Sequence, residues 1–254
     1  MKYSVSAFLA LVPVLSIVAA TPAEKSAEAA ARQYADCFKS GRVAEAYAML
    51  PASYQKDIVT VATSFGAKMD PEIWNEARGI VGTLADVAVA KSDLVTAMII
   101  EKTPTASKAE VAAAVVKSAT ALKSLSTKLT LDMIKSGNIK KIVSLPEMSA
   151  VGAVSKLAGE ADDTATVTGA KELADGSVNV SFKNAKGVVE ETPFVKVEGS
   201  WVPKDMADGW KEGMTEAKKN IESMKIDAKM KQQLLSMSPM IKMGLAGAKN
   251  ATTK

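Results

Sequence analysis

Between residues 164 and 203 the hydrophobic period of this chain drops to two, whereas on both sides of that segment it is helical. Val178, Val180 and Phe182 alternate with Asn179, Ser181 and Lys183, the pattern of a strand with one buried face. Runs at 164–169, 177–183, 188–197 and 200–202 read as strands. Asp175-Gly176, Lys186-Gly187 and Glu198-Gly199 read as the turns between them, glycine supplying the positive φ that a tight hairpin requires. The expectation is a three- or four-stranded antiparallel meander near residues 164–203. So few strands cannot shield an apolar face by themselves, and helices must cover it.

Residues 24–160 and 205–245 read as those helices. Tyr34 and Phe38 stand four residues apart on one face of the first, which Gly41 stops. Tyr54, Ile58, Val61 and Phe65 keep helical spacing further on. Asp70-Pro71 supplies an N-cap and a first-turn proline for a long helix expected to reach about Glu101, with kinks at Gly79 and Gly82. Thr103-Pro104 breaks the pattern. Ser107 with Glu110, and Ser144 with Glu147, have capping-box spacing, the second opening a helix that ends near Gly159. A last helix is expected from about Asp227, interrupted at Ser238-Pro239, with a frayed tail from Gly244. The fold class is therefore α+β, predominantly helical, and no linker divides residues 21–254 into two domains.

Much of the apolar content is alanine and only 5% of residues are aromatic, so the expected core is thin and built from closely packed helices. The chain has no histidine, which excludes Ser-His-Asp and Cys-His catalysis, histidine-built zinc sites and histidine pH switches. Arg32, Arg42 and Arg78 are its only arginines, and no basic stripe interleaved with aromatics appears, so nucleic acid is not an expected partner. Cys37 is the one cysteine; it has no intramolecular partner and reads as a small buried hydrophobe. No cofactor is expected.

The first twenty residues read as an export signal, with Lys2 ahead of an uncharged core from Val5 to Val18 and small residues at Val18-Ala19-Ala20. Cleavage is expected after Ala20, and an uncleaved anchor is the competing reading. The lean, disulfide-free, Lys/Ala-rich remainder fits the periplasm or envelope of a bacterium.

Two stretches carry a resemblance. The alanine-rich helix, its Lys-Ser-Gly-Arg turn and the following Ala-Glu-Ala-Tyr (AARQYADCFKSGRVAEAYAML) resemble the opening helices of exported proteins of the nuclear-transport-factor-like (SnoaL-like) superfamily. The late PFVKVEGSWVPKDM resembles that group's closing strands. The resemblance implies small helices packed into the concave face of a curved antiparallel sheet, often around a pocket. It implies no catalytic residue, and the long helical stretch between the two pieces departs from the family's compact layout.

Candidate sites follow from side-chain chemistry. Phe182, Phe194 and Trp201 on the meander, with Tyr34 and Phe38 on the covering helix, form the candidate surface for a ligand or partner. Met237, Met240 and Met243, at M-x-x-M-x-x-M spacing, are soft thioethers suited to Cu(I). The stronger reading of Met230, Leu234, Met237 and Ile241 is a core-facing or partner-facing helical stripe. Trp201 and Trp210 are expected to clamp the sheet to the helix that follows it. The carboxylates Glu160, Asp162 and Asp163, and the pair Glu190-Glu191, match no calcium loop. Ser53-x-x-Lys56 lacks the companion motifs of a serine hydrolase. From Lys211 onward nine lysines face four acids, which fits a solvated face or contact with an anionic surface. The resulting expectation is an exported, non-catalytic binding or interaction module whose partner is an unknown ligand or envelope protein. The alternatives are a histidine-free cone-fold enzyme and an envelope assembly protein that docks through its Met-rich C-terminal helix.

Overall fold

A computed structural model describes residues 22–102, 107–150, 165–184 and 186–251. The leader, the Thr103-Pro104 break, the carboxylates Glu160, Asp162 and Asp163, and the helix end expected near Gly159 lie outside those residues. The chain is α+β and mostly helical. Its helices are α1 (Pro22–Ser40), α2 (Val43–Met49), α3 (Ala52–Lys68), α4 (Pro71–Ala90), α5 (Ser92–Lys102), α6 (Lys108–Lys128), α7 (Leu131–Lys135) and α8 (Ile139–Val143). Residues 146–150 begin α9. After the sheet come α10 (Lys204–Ser223) and α11 (Ala228–Asn250).

The sheet is the expected meander: β1 (Thr166–Glu172), β2 (Val178–Lys183), β3 (Val189–Val197) and β4 (Ser200–Pro203) pair antiparallel in chain order. Val178 pairs with Phe194 and Val180 with Thr192, so the alternating residues of β2 and β3 share one inner face. A register shift between Val167 and Gly169 bends β1. Across this face lies α1. Ala27 and Ala31 are essentially fully buried there, and such small side chains let the helix axis approach the sheet. With Tyr34 they meet Val167, Val178, Val180, Phe194 and Trp201 in the main core cluster. Cys37, one turn further on, is buried too, and burial pushes its thiol pKa up.

The two tryptophans expected to tie the sheet to the next helix do something else. Trp201 donates from Nε1 to Ser26 Oγ at 2.8 Å, fastening β4 to α1. Trp210 stacks on Tyr54 of α3, with centroids 3.9 Å apart and planes 5° from parallel, fastening α10 to α3. Both pairings span more than 150 residues, which no local period can reveal. The N-terminus of α3 has only Pro51 at its cap, and the carboxylate of Glu198 fills that role by accepting from Ser53 N–H at 3.0 Å. Glu198 adopts φ +50 beside Gly199 at φ +87, the two positive values of a type I′ hairpin.

A second layer is built from α4, α5, α6 and α11. The long helix predicted to reach Glu101 ends at Ala90, with Lys91 outside helical geometry. Gly79 and Gly82 lie inside its continuous span, and both are contact points. A Cβ on Gly82 would come 2.9 Å from Ser126 Oγ of α6, and one on Gly79 would come 3.2 Å from Lys242 Nζ of α11. The expected interruption at Ser238-Pro239 is also absent, because α11 runs unbroken to Asn250. Ser238, buried, donates to Glu76 of α4, and Lys242 bonds the same carboxylate at 2.6 Å, so contacts hold the helix on both sides of the proline.

Glu147 was expected to close a capping box with Ser144. Its carboxylate instead turns to α6, where Lys128 and Ser124 Oγ donate to it, the latter at 2.7 Å. The bond from Lys128 first, then that from Ser124, hold its pKa down at about 2 against an ordinary 4.5. A depressed carboxylate stabilises the fold above its unfolded pKa, and that contribution disappears as pH falls through the folded value. Thermal stability is therefore expected to decline between pH 4.5 and about 2. Glu147→Gln should flatten the decline in melting scans across that window, and parallel wild-type and variant curves would refute this role.

Candidate functional site

Between the inner face of the sheet and its covering helices lies a cavity of about 560 Å³, within the ~300–1,000 Å³ typical of small-molecule sites. α1 contributes Tyr34, Ala35 and Phe38, and the sheet contributes Phe182, Thr192 and Phe194. Further wall comes from Val43, Ala46 and Tyr47 of α2, Ile58 of α3, Ile139 and Val143 of α8, and Met206 and Trp210 of α10. Four of the five residues singled out from sequence therefore border one cavity. The fifth, Trp201, lies beside it in the core and is turned toward Ser26.

Periodicity explains the convergence. The strand period puts Val178, Val180 and Phe182 on the inner face, and Phe194 stacks against Phe182 with centroids 6.5 Å apart. The helical period puts Ala27, Ala31 and Tyr34 against the sheet, and Phe38, one turn beyond Tyr34, overhangs the edge at 69% exposure. The contributions of α2, α8 and α10 were not foreseen. A hint lay in the apolar Ile139, Ile142 and Val143, which flank Lys140-Lys141 ahead of Pro146, too short a run to show a period.

The lining is almost wholly apolar, its polar side chains being Tyr34, Tyr47, Thr192 and Trp210. No carboxylate, lysine or arginine lines it among the described residues. Tyr47 Oη donates weakly to Gln55 O at 3.4 Å. Tyr34 Oη is buried and has no partner, and burial first, then Cys37, push its pKa up. An unsatisfied buried hydroxyl costs about 1–3 kcal/mol. Behind Trp210, Asp57 accepts from the indole Nε1 at 3.2 Å and pairs with Lys218 at 3.2 Å, which together hold its carboxyl pKa down. That carboxylate fixes the ring that forms the wall.

The methionine stripe is not core. Met230, Leu234, Met237, Met240, Ile241 and Met243 are all 40–69% exposed. The face of α11 turned to α4 is held by polar anchors, Lys231 with Asp70 and Glu72, and Ser238 and Lys242 with Glu76, and carries the half-buried Leu235 and Leu245 between and beyond them. A helix advances about 100° per residue, so side chains three apart drift by about 60° at each step. Met237, Met240 and Met243 therefore spread over about 120° of the exposed surface of α11. Lys231 and Lys242, engaged by α4, are withdrawn from the lysine-rich surface read in the sequence. Glu191 on β3 accepts from Asn179 Nδ2 at 2.9 Å across the strands, as an exposed cross-strand pair.

No family model, curated protein or solved structure matches this chain. Among the described residues no helix is long and apolar enough to cross a membrane, and no group of three or more Cys, Asp or Glu is arranged to hold a metal ion.

Proposed function

We propose that this protein is a non-catalytic binding module that holds an apolar ligand between its sheet and its covering helices. The observation that carries the reading is the 560 Å³ cavity with an almost entirely apolar wall. An enzyme on the same scaffold would need an acid, base or nucleophile at the wall, and there the titratable groups are tyrosines, whose ordinary pKa of 10.0 burial pushes further up. Export from a bacterial cell belongs to the same proposal and rests on the leader sequence. Kinship with the nuclear-transport-factor-like proteins belongs to it too, supported by α1 lying across the meander with α2 at its end. The exposed methionine face of α11 favours a second reading, assembly with a partner through that helix.

The test uses N-phenyl-1-naphthylamine, an uncharged dye that brightens in apolar surroundings. Wild-type protein should bind it saturably. Ala35→Phe, which places a ring in the cavity, should weaken binding at least tenfold without lowering the melting temperature. Equal binding by the two proteins would remove the cavity from the account.

A further inference from the structure

The cavity of the proposed site is one of three that meet at a single side chain. Ile139, 8% exposed, borders the 560 Å³ cavity, a second apolar cavity of about 400 Å³, and a polar one of about 260 Å³. The two apolar cavities also share Ile58. The second runs on past Ala62, Phe65, Ile134 and Met214, between α3, α7 and α10. The polar cavity shares Tyr47 with the first and is bordered by Gln55, Lys56, Asn138 and Lys140, with no carboxylate among its described lining residues. Asp57, adjacent to Lys56 in sequence, is engaged by Trp210 and Lys218.

We propose that the three cavities form one site for a two-chain amphiphile with an anionic head. One apolar chain occupies each apolar limb, and the head lies at Lys56 and Lys140. This rests on the reading above, that the first cavity takes an apolar ligand. The common wall carries the argument. Two apolar cavities and one bordered by two lysines adjoin Ile139, an arrangement that matches two chains and a head joined at one backbone. The second limb is lined by apolar side chains alone and offers water none of the two to four polar partners it needs, so a single-chain ligand in the first would leave it poorly filled. Each lysine near an anionic lipid head is worth about fivefold in affinity at moderate salt.

The experiment displaces the naphthylamine dye from the purified full chain with three lipids presented in detergent micelles. They are dioleoylphosphatidylglycerol, dioleoylphosphatidylcholine and oleoyl-lysophosphatidylglycerol, with inorganic phosphate as a head-only probe. The two-chain anionic lipid should displace at about tenfold lower concentration than either other lipid, and phosphate should not displace at all. Combined Lys56→Gln and Lys140→Gln should erase the preference over phosphatidylcholine while leaving phosphatidylcholine binding unchanged. Ala62→Phe, which fills the second limb, should bring the two-chain anionic lipid to the level of the lyso form. Should that variant fail to fold, the comparison of two-chain with lyso lipid on wild type still decides the point. Equal displacement by phosphatidylglycerol and phosphatidylcholine, or by two-chain and lyso lipid, overturns this inference. The apolar-cavity reading survives that result if phosphatidylcholine still displaces the dye and Ala35→Phe abolishes dye binding. Absence of both dye and lipid binding overturns the two together.

Discussion

Replacing Gly41 by alanine is expected to cost about 3 kcal/mol and to lower the urea midpoint of unfolding by about 1–2 M. Gly41 ends α1 with φ +66. It sits in a Schellman arrangement, in which Arg42 N–H donates to Cys37 O at 2.8 Å and Gly41 N–H to Phe38 O at 3.3 Å. An L side chain there carries left-handed strain. Its Cβ would also stand 2.9 Å from both Cα and the carbonyl carbon of Ser149, and closer still to that carbonyl oxygen. These are backbone atoms, so no rotamer change relieves the clash, and the α1–α2 corner must move away from α9. The corner positions Phe38 and Val43 on the cavity, so dye binding should weaken together with stability. Gly213→Ala is the control. It lies exposed in α10 with no atom within 4 Å of the added Cβ, and should stabilise by about 0.5–1 kcal/mol. Urea titrations that move both variants in the same direction would contradict the role given to Gly41.

Phe194→Ala should cost about 3–5 kcal/mol, the range for emptying a buried phenylalanine site. Phe194 is 3% exposed, pairs with Val178 across the strands and joins the cluster formed with Ala27, Ala31 and Tyr34. Its loss removes the largest inner-face side chain of β3 from the contact with α1. Because Phe194 also borders the cavity, truncation enlarges that space rather than blocking it. Stability and binding should then separate in the sense opposite to Ala35→Phe: a less stable protein, whose folded fraction still takes up the dye. Urea unfolding followed by circular dichroism, with dye titrations below the transition, checks both halves. A loss below about 1 kcal/mol would mean that α1 does not depend on this face of the sheet.

The features legible in the sequence are those carried by local period and turn chemistry. The alternation around Val180 places β2 and its inner face, and the glycines at 176, 187 and 199 place the turns. Tyr34, Phe38, Phe182 and Phe194 reach one cavity because two independent periods aim them at the same interface. Trp201 escapes that logic. It pairs with Lys196 one register step along β4, and its indole has a hydrogen-bond partner in Ser26 of α1. The pairings that close the wall, Tyr54 with Trp210 and Asp57 with Lys218, join residues more than 150 positions apart and leave no local trace.

The C-terminal helix shows why a hydrophobic stripe is not always an inside face. Its apolar residues at 230, 234, 237 and 241 have helical spacing yet are exposed, while the stripe turned to α4 carries Lys231, Ser238 and Lys242 together with the half-buried Leu235 and Leu245. The matching acids, Asp70, Glu72 and Glu76, cluster at the start of α4, where the helix dipole also favours negative charge. Charge complementarity between two distant helices helps select which stripe of α11 is turned in, and it becomes visible only when the two are side by side. The same opposition of surfaces separates the two functional readings, one built on an apolar cavity under the helices and the other on an exposed apolar helix face.

Native mass spectrometry of the full chain, purified gently from the cells that make it, tests the central claim most directly. The account predicts a monomer carrying an apolar small molecule, identified by organic extraction, and the loss of that mass in Ala35→Phe protein of undiminished melting temperature. A chain that is empty in both proteins, or a dimer whose interface is broken by Met240→Glu while no small molecule is found, would contradict it.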